Sequence, residues 1–173
     1  GEEPRRAYLA LESTYHSTPL IMRHYGKLYF NKPPIHNALN AWSIQLFGAQ
    51  LLGYRMVSFC AYLLIGWMLY RLLLPRQKIW AICSLFIYML SPDFMFYHST
   101  TTGEIDGLFS LWLFVQFLAF YTYQQKGRLI YLLLAYFIGS IAFLTKGLPA
   151  IYMTTMGQLT LWLLKPRNWR TLL

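Results

Sequence analysis

Residues 26–35 read Gly26-Lys-Leu-Tyr29-Phe-Asn-Lys32-Pro33-Pro34-Ile35, and this stretch separates a polar N-terminal part from an apolar remainder. The two adjacent prolines fix the backbone φ angle and favour an extended conformation for the lysine before them. Residues 15–34 as a whole are predicted to form a loop rich in His, Tyr, Arg and Lys. The lysine on this stiff loop is either a ligand for an anionic group or a side chain that reaches towards lipid headgroups.

Short helical patterns flank the loop on both sides. Residues 1–14 begin with two acids and a proline, which are typical of a helix N-terminus. After the loop, apolar residues recur with 4-3-4 spacing, which indicates one helical face, up to Gly48; they are Ile35, Leu39, Trp42 and Leu46. The first pattern is too short and polar to span a bilayer, and we predict that both are interfacial helices.

Five apolar runs come next, at about residues 55–74, 79–97, 107–123, 129–145 and 148–164. A bilayer core about 30 Å thick needs about 20 helical residues. The composition agrees, because 57% of the 173 residues are hydrophobic and only 12% are charged. We therefore predict an all-α membrane protein with about five transmembrane helices and two juxtamembrane amphipathic helices on the external side. It forms a single membrane domain with three parts, namely an external loop (1–53), transmembrane helices (54–164) and a cytoplasmic basic end (165–173).

The charges are distributed unevenly between the two ends of the apolar runs. A net charge of +9 could suggest nucleic acid, but in so apolar a chain anionic lipid and the positive-inside rule explain it better, and no nucleic-acid partner is predicted. Three connections between or after the apolar runs are basic, and all six acids lie at the opposite ends of these runs. We therefore predict that the basic connections are cytoplasmic. These connections contain Arg71, Arg76, Lys78, Lys126, Arg128, Lys165, Arg167 and Arg170.

The two cysteines and the chain start give further expectations. Cys60 and Cys83 fall inside apolar runs at opposite depths, so we predict small core residues without a disulfide. The chain begins with Gly-Glu-Glu, and we interpret it as a fragment of a longer protein.

Several charged groups are candidates for chemistry at the external face. Glu2 and Glu3, with Arg5 beside them, offer a general base, or else acids that match the dipole of a helix N-terminus. Asp106, two residues after Glu104, lies at the edge of a membrane run, where acids are often functional, although N-capping is the alternative.

Two further cations lie at the external ends of apolar runs. Lys146 is at the tip of a tight turn between two spans, and Arg55 opens the first run. Each is a phosphate contact or a side chain directed to the lipid interface. A divalent metal on the external histidines with Glu104 or Asp106 is a minority alternative, because no spacing matches a dedicated ligand set. These histidines are His16, His24, His36 and His98.

The order of these stretches resembles the polyprenyl-phosphate-sugar-dependent glycosyltransferases of the type C membrane fold, which include the protein O-mannosyltransferases and the aminoarabinose transferases. The resemblance covers nearly the whole chain, and the pairing of Lys-Pro-Pro with Thr-Lys-Gly is its most specific part. The matching residues are Glu2-Glu3-Pro4-Arg5, Gly26, Tyr29, Lys32-Pro33-Pro34, Trp42, Phe47-Gly48, Arg55, Asp106 and Thr145-Lys146-Gly147.

The resemblance implies an inverting transfer of a sugar from a polyprenyl phosphate to a hydroxyl of a lipid or protein acceptor, at the periplasmic face of the bacterial inner membrane. The resemblance implies that Glu2 occupies the position of the general base, with Glu3 beside it. It also implies that Asp106 supports the acceptor or the base. It assigns the donor phosphate to four cations, which are Arg5, Lys32, Arg55 and Lys146. The residue at the position of the general base is usually Asp in this family and is Glu here. Asn31 stands where some relatives have an acidic residue.

A non-catalytic membrane protein is the alternative, such as a lipid-phosphate binder, a transporter piece or an assembly subunit. Polar residues in the middle of the membrane would favour transport. The first four runs contain few, with Gln116 and Ser84 the main ones, which favours chemistry at the surface.

Overall fold

A computed structural model describes residues 2–16, 18–92 and 103–164. Within these ranges the chain forms seven helices and one short hairpin. In chain order they are α1 (Glu2–Tyr15), β1 (Arg23–His24), β2 (Lys27–Leu28), α2 (Ile35–Phe47), α3 (Leu51–Leu73), α4 (Lys78–Met89), α5 (Ile105–Lys126), α6 (Leu129–Lys146) and α7 (Leu148–Leu164).

The predicted class, an all-α membrane protein, is confirmed. Among the described residues, α3, α5 and α6 are long and apolar enough to cross a membrane. Helix α4 has 12 residues and α7 has 17, and the second run was predicted to reach residue 97, in a segment (93–102) outside the described residues. Five spans therefore remain a prediction, whereas a multi-pass membrane protein is established.

The chain consists of two compact units, Gly1–Leu111 and Trp112–Leu173. In the first unit, α2 packs against both α1 and α3, and α3 packs against α4. The second unit is built from most of α5 together with α6 and α7. The first turns of α5 belong to the first unit, and they carry the residues that matter for the candidate site.

Helix α2 buries polar residues together with smaller apolar ones and exposes large apolar side chains. Asn37, Asn40 and Ser43 are buried, whereas Trp42 is 54% exposed and Leu46 is 79% exposed. The amide of Asn37 donates to the Ser13 hydroxyl at 2.9 Å, which joins α2 to α1. Buried polar groups such as the Asn37 amide are thus hydrogen-bonded within the protein, and the juxtamembrane position of this helix stays a prediction.

Two local predictions were wrong. The segment 15–34 is not loop throughout, because β1 and β2 pair antiparallel. Cys60 and Cys83 are free but exposed on the surface, not small core residues. The reason for the second error is that an apolar run in a membrane helix includes the lipid-facing side, so apolar neighbours do not indicate a protein core.

In the second unit, Gln116 of α5 joins the three helices. Its side chain is 2% exposed. It donates to the Ala135 carbonyl of α6 at 3.1 Å and accepts from the Thr154 hydroxyl of α7 at 2.9 Å. This mid-span amide is therefore fully used in helix packing, which is the usual way for a polar group to be retained inside a membrane bundle.

We expect Gly139→Ala to destabilise this unit, because a Cβ at Gly139 would lie 2.3 Å from the Gln116 amide nitrogen. Displacing that amide costs about 1–3 kcal/mol as overpacking. Thermal unfolding in detergent measures the effect, with Gly157→Ala as the control, since a Cβ there meets nothing within 4 Å. In a Gln116→Ala background the same Gly139→Ala change should lower the unfolding temperature only slightly. An equal decrease in the unfolding temperature in both backgrounds would contradict the packing argument.

Candidate functional site

Glu12 holds the hairpin on α1. Tyr25 and Gly26 form its turn with positive φ angles of 53° and 75°, a conformation that favours glycine. The two carboxylate oxygens of Glu12 accept the backbone N–H groups of these residues, at 3.1 Å from Tyr25 and 2.7 Å from Gly26. The Tyr25 ring also packs on Tyr8 of α1 at 4.9 Å between centroids. The hairpin that leads to Lys32 is thus fixed at its turn, a role of Glu12 that the sequence pattern did not indicate.

Three cations line one small cavity in the first unit. Arg5 and Arg6 come from α1 and Lys32 comes from the proline-stiffened loop, and the cavity has a volume of about 20 Å³. The guanidinium carbon of Arg5 lies 5.9 Å from the centre of the Tyr29 ring, which also lines the cavity. The other lining residues are Leu9, Met22, Pro33, His36, Asn37 and Ile105.

The lining set of this cavity is complementary to an anion. Among the described residues that line it, three are cations from two separate segments and none is a carboxylate. Arginine and lysine are the side chains that hold phosphate oxygens. The structure therefore brings together the sequence-predicted Arg5 and Lys32 and adds Arg6. The Arg5-Arg6 pair after the N-terminal acids was a signal that could have indicated this.

Glu3 joins three segments of the first unit. Its carboxylate accepts from Arg55 of α3, at 2.8 Å from Nε and 3.2 Å from Nη2. It also accepts the backbone N–H of Gly103 at 3.0 Å. Partial burial alone would raise the pKa of this carboxyl, but the Arg55 and Gly103 hydrogen bonds, with the Arg55 charge, outweigh it and hold the pKa below its usual value. Glu3 is therefore a fixed, ionised acceptor of hydrogen bonds.

Gly103 lies against the ring of Tyr54. A Cβ at Gly103 would be 2.0 Å from a ring carbon of this tyrosine, so the close approach requires glycine. Tyr54 is 2% exposed, and its hydroxyl has no hydrogen-bond partner within the described ranges. The charged groups near enough to act on that hydroxyl include Arg6 and Glu3. Sequence reasoning missed Tyr54, which carries no signal beyond its position before Arg55.

The next residue, Glu104, is held by its backbone carbonyl. The Ser58 hydroxyl of α3 donates to this oxygen at 2.8 Å. His36 is 3% exposed. Burial, aided by the Arg6 charge, lowers the pKa of His36 to about 3, although the Asp106 charge and the Glu104 backbone act in the opposite direction. His36 is therefore a neutral ring at neutral pH.

We expect acid to destabilise the protein through His36. The pKa is about 3 in the fold and about 6.5 in an unfolded chain, so between these values the unfolded state binds more protons. Stability then rises with pH across this window and is lost as pH falls from 6.5 towards 3, by at most about 1.4 kcal/mol per pH unit. The facing charges are Arg6 from α1 and Asp106 from α5.

Unfolding temperatures at pH 7 and pH 5 test this. His36→Gln should reduce the difference between the two pH values, whereas His16→Gln, at an exposed position, should leave it as in the unaltered protein. An unchanged pH difference in His36→Gln would contradict the assignment.

The remaining sequence-predicted residues lie in both units. Asp106 is in the first turn of α5 and is close enough to influence His36. Lys146 is the last residue of α6, in the second unit, where Gly147 begins the predicted tight turn. Glu2 lies in the first turn of α1, but its side chain is outside what the structure describes, as are Lys165, Arg167 and Arg170.

Metal-binding groups were also sought among the residues that the structure describes. No cluster of three or more His, Cys, Asp or Glu side chains suits a metal ion there. His98 lies outside these residues. The sequence-based metal alternative therefore gains no support from the described residues and stays a prediction.

Comparisons with known proteins agree on one family. The family model for dolichyl-phosphate-mannose-protein mannosyltransferase matches residues 31–173. An undecaprenyl phosphate-alpha-4-amino-4-deoxy-L-arabinose arabinosyl transferase of Edwardsiella ictaluri (strain 93-146) is 28% identical over 181 residues, covering 99% of this chain and 32% of that protein. A protein of the same description from Shewanella sediminis (strain HAW-EB3) is 29% identical over 164 residues, covering 87% of this chain and 28% of that protein.

The matches differ in how much of each protein they cover. The chain spans about a third of the length of the curated relatives it matches. No solved structure matches it significantly. The family resemblance carried by the Lys-Pro-Pro and Thr-Lys-Gly motifs is confirmed. Since the family model matches well over half of its residues, this membrane protein belongs to the dolichyl-phosphate-mannose-protein mannosyltransferase family.

Proposed function

We propose that the protein transfers a sugar from a polyprenyl-phosphate donor to a hydroxyl acceptor. The observation that carries the proposal is the cavity lined by Arg5, Arg6 and Lys32 in the same compact unit as the carboxylates of Glu3 and Asp106. Expelling a lipid phosphate requires cations where negative charge develops, and an acceptor hydroxyl requires a base. The curated relatives named as undecaprenyl-phosphate aminoarabinose transferases support the donor class.

In this proposal Arg5 and Lys32 hold the leaving phosphate, and Arg6 adds to their field. The family resemblance also assigns Lys146 to the donor phosphate. Arg55 was predicted to share this task, and its bonds to Glu3 suggest that it acts instead through that carboxylate.

The acid roles follow from the electrostatics. Glu2 takes the place of the base, because Glu3, with its lowered pKa and its two partners, is a weak proton acceptor. Glu3 orients the segment that contains the base, and Asp106 supports the base or the acceptor hydroxyl. Direct attack by the hydroxyl on the sugar carbon inverts its configuration.

The reaction takes place at the external face, which for a bacterial inner-membrane protein is periplasmic. The basic connections between the apolar runs support this orientation through the positive-inside rule. The acceptor is a lipid or a protein hydroxyl, and membrane lipids surround the exposed apolar faces of α2 and the spans.

Transfer from an undecaprenyl-phosphate-linked sugar by the purified full-length protein in detergent or nanodiscs tests the proposal. Single variants at Glu2, Glu3, Lys32, Asp106 and Lys146 should each lose activity, with the exposed Lys27→Ala as the matched control. The anomeric configuration of the product, read by NMR, tests inversion. Full activity in all five variants would overturn the proposal, and donor binding without transfer would favour the non-catalytic lipid-phosphate binder.

A further inference from the structure

One buried face of α3 holds the ends of two other helices. Tyr54, Ser58 and Tyr62 follow one another at four-residue intervals, which places them on the same side of the helix, and all three are buried. The Ser58 hydroxyl donates to the Glu104 carbonyl at 2.8 Å, and the Tyr62 hydroxyl donates to the Met89 carbonyl at 2.6 Å. Ser58 therefore anchors the start of α5, and Tyr62 anchors the end of α4.

The bond from Ser58 reaches α5 at its first turn. Glu104 directly precedes α5, and the carbonyl of the residue before a helix accepts the first intrahelical hydrogen bond while a second lone pair stays available. Ser58 can use this second acceptor position without opening the helix. The Ser58 side chain is fully buried, which limits competition from solvent for this bond.

The residue before Glu104 is fixed as well. Gly103 donates its N–H to the Glu3 carboxylate of α1 at 3.0 Å and lies directly against the Tyr54 ring of α3. Two consecutive residues are thus held by side chains of two helices that are distant in sequence. Such support from outside a helix orients its first residues more closely than the bonds of the helix itself.

The first turn of α5 forms part of the candidate site. Ile105 is buried and lines the same cavity as the three cations from α1 and the lysine loop. Asp106 is the next residue, and the proposed function uses its carboxylate to support the base or the acceptor hydroxyl. The carbonyl that Ser58 holds therefore precedes the cavity wall by one residue and this carboxylate by two.

We propose that Ser58 is a positioning residue whose hydroxyl, through the Glu104 carbonyl, sets the placement of the Asp106 carboxylate at the cation cavity. This inference rests on the proposed function, since it concerns the geometry of that site. It assigns Ser58 no contact with substrate. A displacement of about 1 Å in a catalytic group can lower a rate about 100-fold, so a small shift of the first turn of α5 is sufficient to matter.

Steady-state transfer by a Ser58→Ala variant of the full-length protein tests the inference, because this change removes only the hydroxyl. It should lower kcat by about 10- to 100-fold while the KM for the undecaprenyl-phosphate-linked sugar changes by less than about threefold. Tyr62→Phe is the matched control, since it removes a hydroxyl from the same face of α3 that binds a carbonyl of α4. Tyr62→Phe should leave kcat unchanged. Full activity of Ser58→Ala, or an equal loss in Tyr62→Phe, would overturn the inference.

A double-mutant cycle identifies the group that Ser58 positions. In an Asp106→Asn background, Ser58→Ala should lower kcat by less than about twofold, because the carboxylate that the hydroxyl places is already absent. The rates are compared at equal amounts of folded protein, so that a loss of stability does not count as a loss of kcat. The same fractional loss in both backgrounds would mean that Ser58 acts on another group, and it would overturn the inference.

Hydrogen–deuterium exchange separates this inference from the proposed function. Ser58→Ala should raise amide exchange in the peptide that covers residues 103–111, whereas Tyr62→Phe should leave exchange in that peptide unchanged. Unchanged exchange in Ser58→Ala, with sugar transfer by the unaltered protein, overturns the inference alone. Absence of transfer by the unaltered protein overturns the proposed function, and raised exchange in Ser58→Ala then still supports the hydrogen bond that anchors α5.

Discussion

Replacing Lys32 with alanine is expected to lower kcat/KM for sugar transfer by about 100-fold or more. Lys32 shares its cavity with Arg5 and Arg6, so three cationic side chains from two segments line one small space. A lysine in such a place can stabilise the charge that develops on a leaving phosphate, and removal of one such group typically costs about 100- to 1000-fold. The measurement is the initial rate of transfer from an undecaprenyl-phosphate-linked sugar at several donor concentrations.

The control and the conservative variant sharpen this prediction. Lys27 is an exposed lysine of β2, five residues earlier, so Lys27→Ala removes the same charge from the same hairpin region away from the cavity. Lys27→Ala should change the rate by less than about threefold, because Lys27 is not among the described residues that line the cavity, and a charge away from the substrate acts weakly through water. Lys32→Arg should retain part of the activity, since it keeps the positive charge but replaces a compact ammonium with a planar guanidinium. Equal losses in Lys27→Ala and Lys32→Ala would attribute the effect to general surface charge.

The helical framework of this chain could be predicted because its signals are local. Apolar runs of the right length predicted the three helices that are long enough to span, α3, α5 and α6, and the bounds of Leu129–Lys146 differ by a residue from the predicted 129–145. Gly48 and Gly147 follow the ends of α2 and α6 with φ angles of 88° and 78°, as expected for glycines that end helices. Hydrophobic periodicity and glycine are short-range patterns, and a single sequence contains them directly.

The contacts that arrange the candidate site could not be predicted, because they join residues far apart in the chain. Glu3 meets Arg55 across 52 positions and Gly103 across 100. Charge pairing alone allowed Glu3 many partners, and nothing in the local pattern selected Arg55. The Gly103 contact uses a backbone N–H, which every residue except proline has.

The buried side of α2 shows a second reason why parts of the structure could not be predicted from the sequence. Its apolar spacing correctly predicted a helix, yet the polar residues between the apolar positions, such as Asn37 and Ser43, are buried in the first unit beside Ala41 and Ile44. In a water-soluble protein an apolar face is expected to lie inside, but a membrane-surface helix can do the reverse. His36 belongs to this buried side, so its lowered pKa follows from burial and not from the helical pattern.

The pair formed by Glu3 and Arg55 gives the second large expected effect. Glu3→Ala should lower kcat by about 100-fold, because it removes the acceptor of both Arg55 and the Gly103 N–H and leaves a half-buried guanidinium without its carboxylate. Loss of one member of a hydrogen-bonded charge pair costs more than loss of the pair, since the remaining partner is left unsatisfied. Glu3→Gln, which keeps an acceptor oxygen, should lose less than Glu3→Ala.

The double variant decides what Arg55 does. If Arg55 acts through Glu3, then Arg55→Ala lowers kcat with little change in donor KM, and Glu3→Ala/Arg55→Ala is no worse than the more damaged single variant. If Arg55 holds the donor phosphate as the family resemblance implies, its loss raises donor KM as Lys32→Ala does, and the two losses multiply. The bidentate geometry, at 2.8 and 3.2 Å, favours the first result, because a guanidinium held by two carboxylate oxygens has fewer N–H groups left for phosphate. Steady-state rates of the three variants, each compared at equal amounts of folded protein, therefore distinguish a positioning arginine from a substrate-binding one.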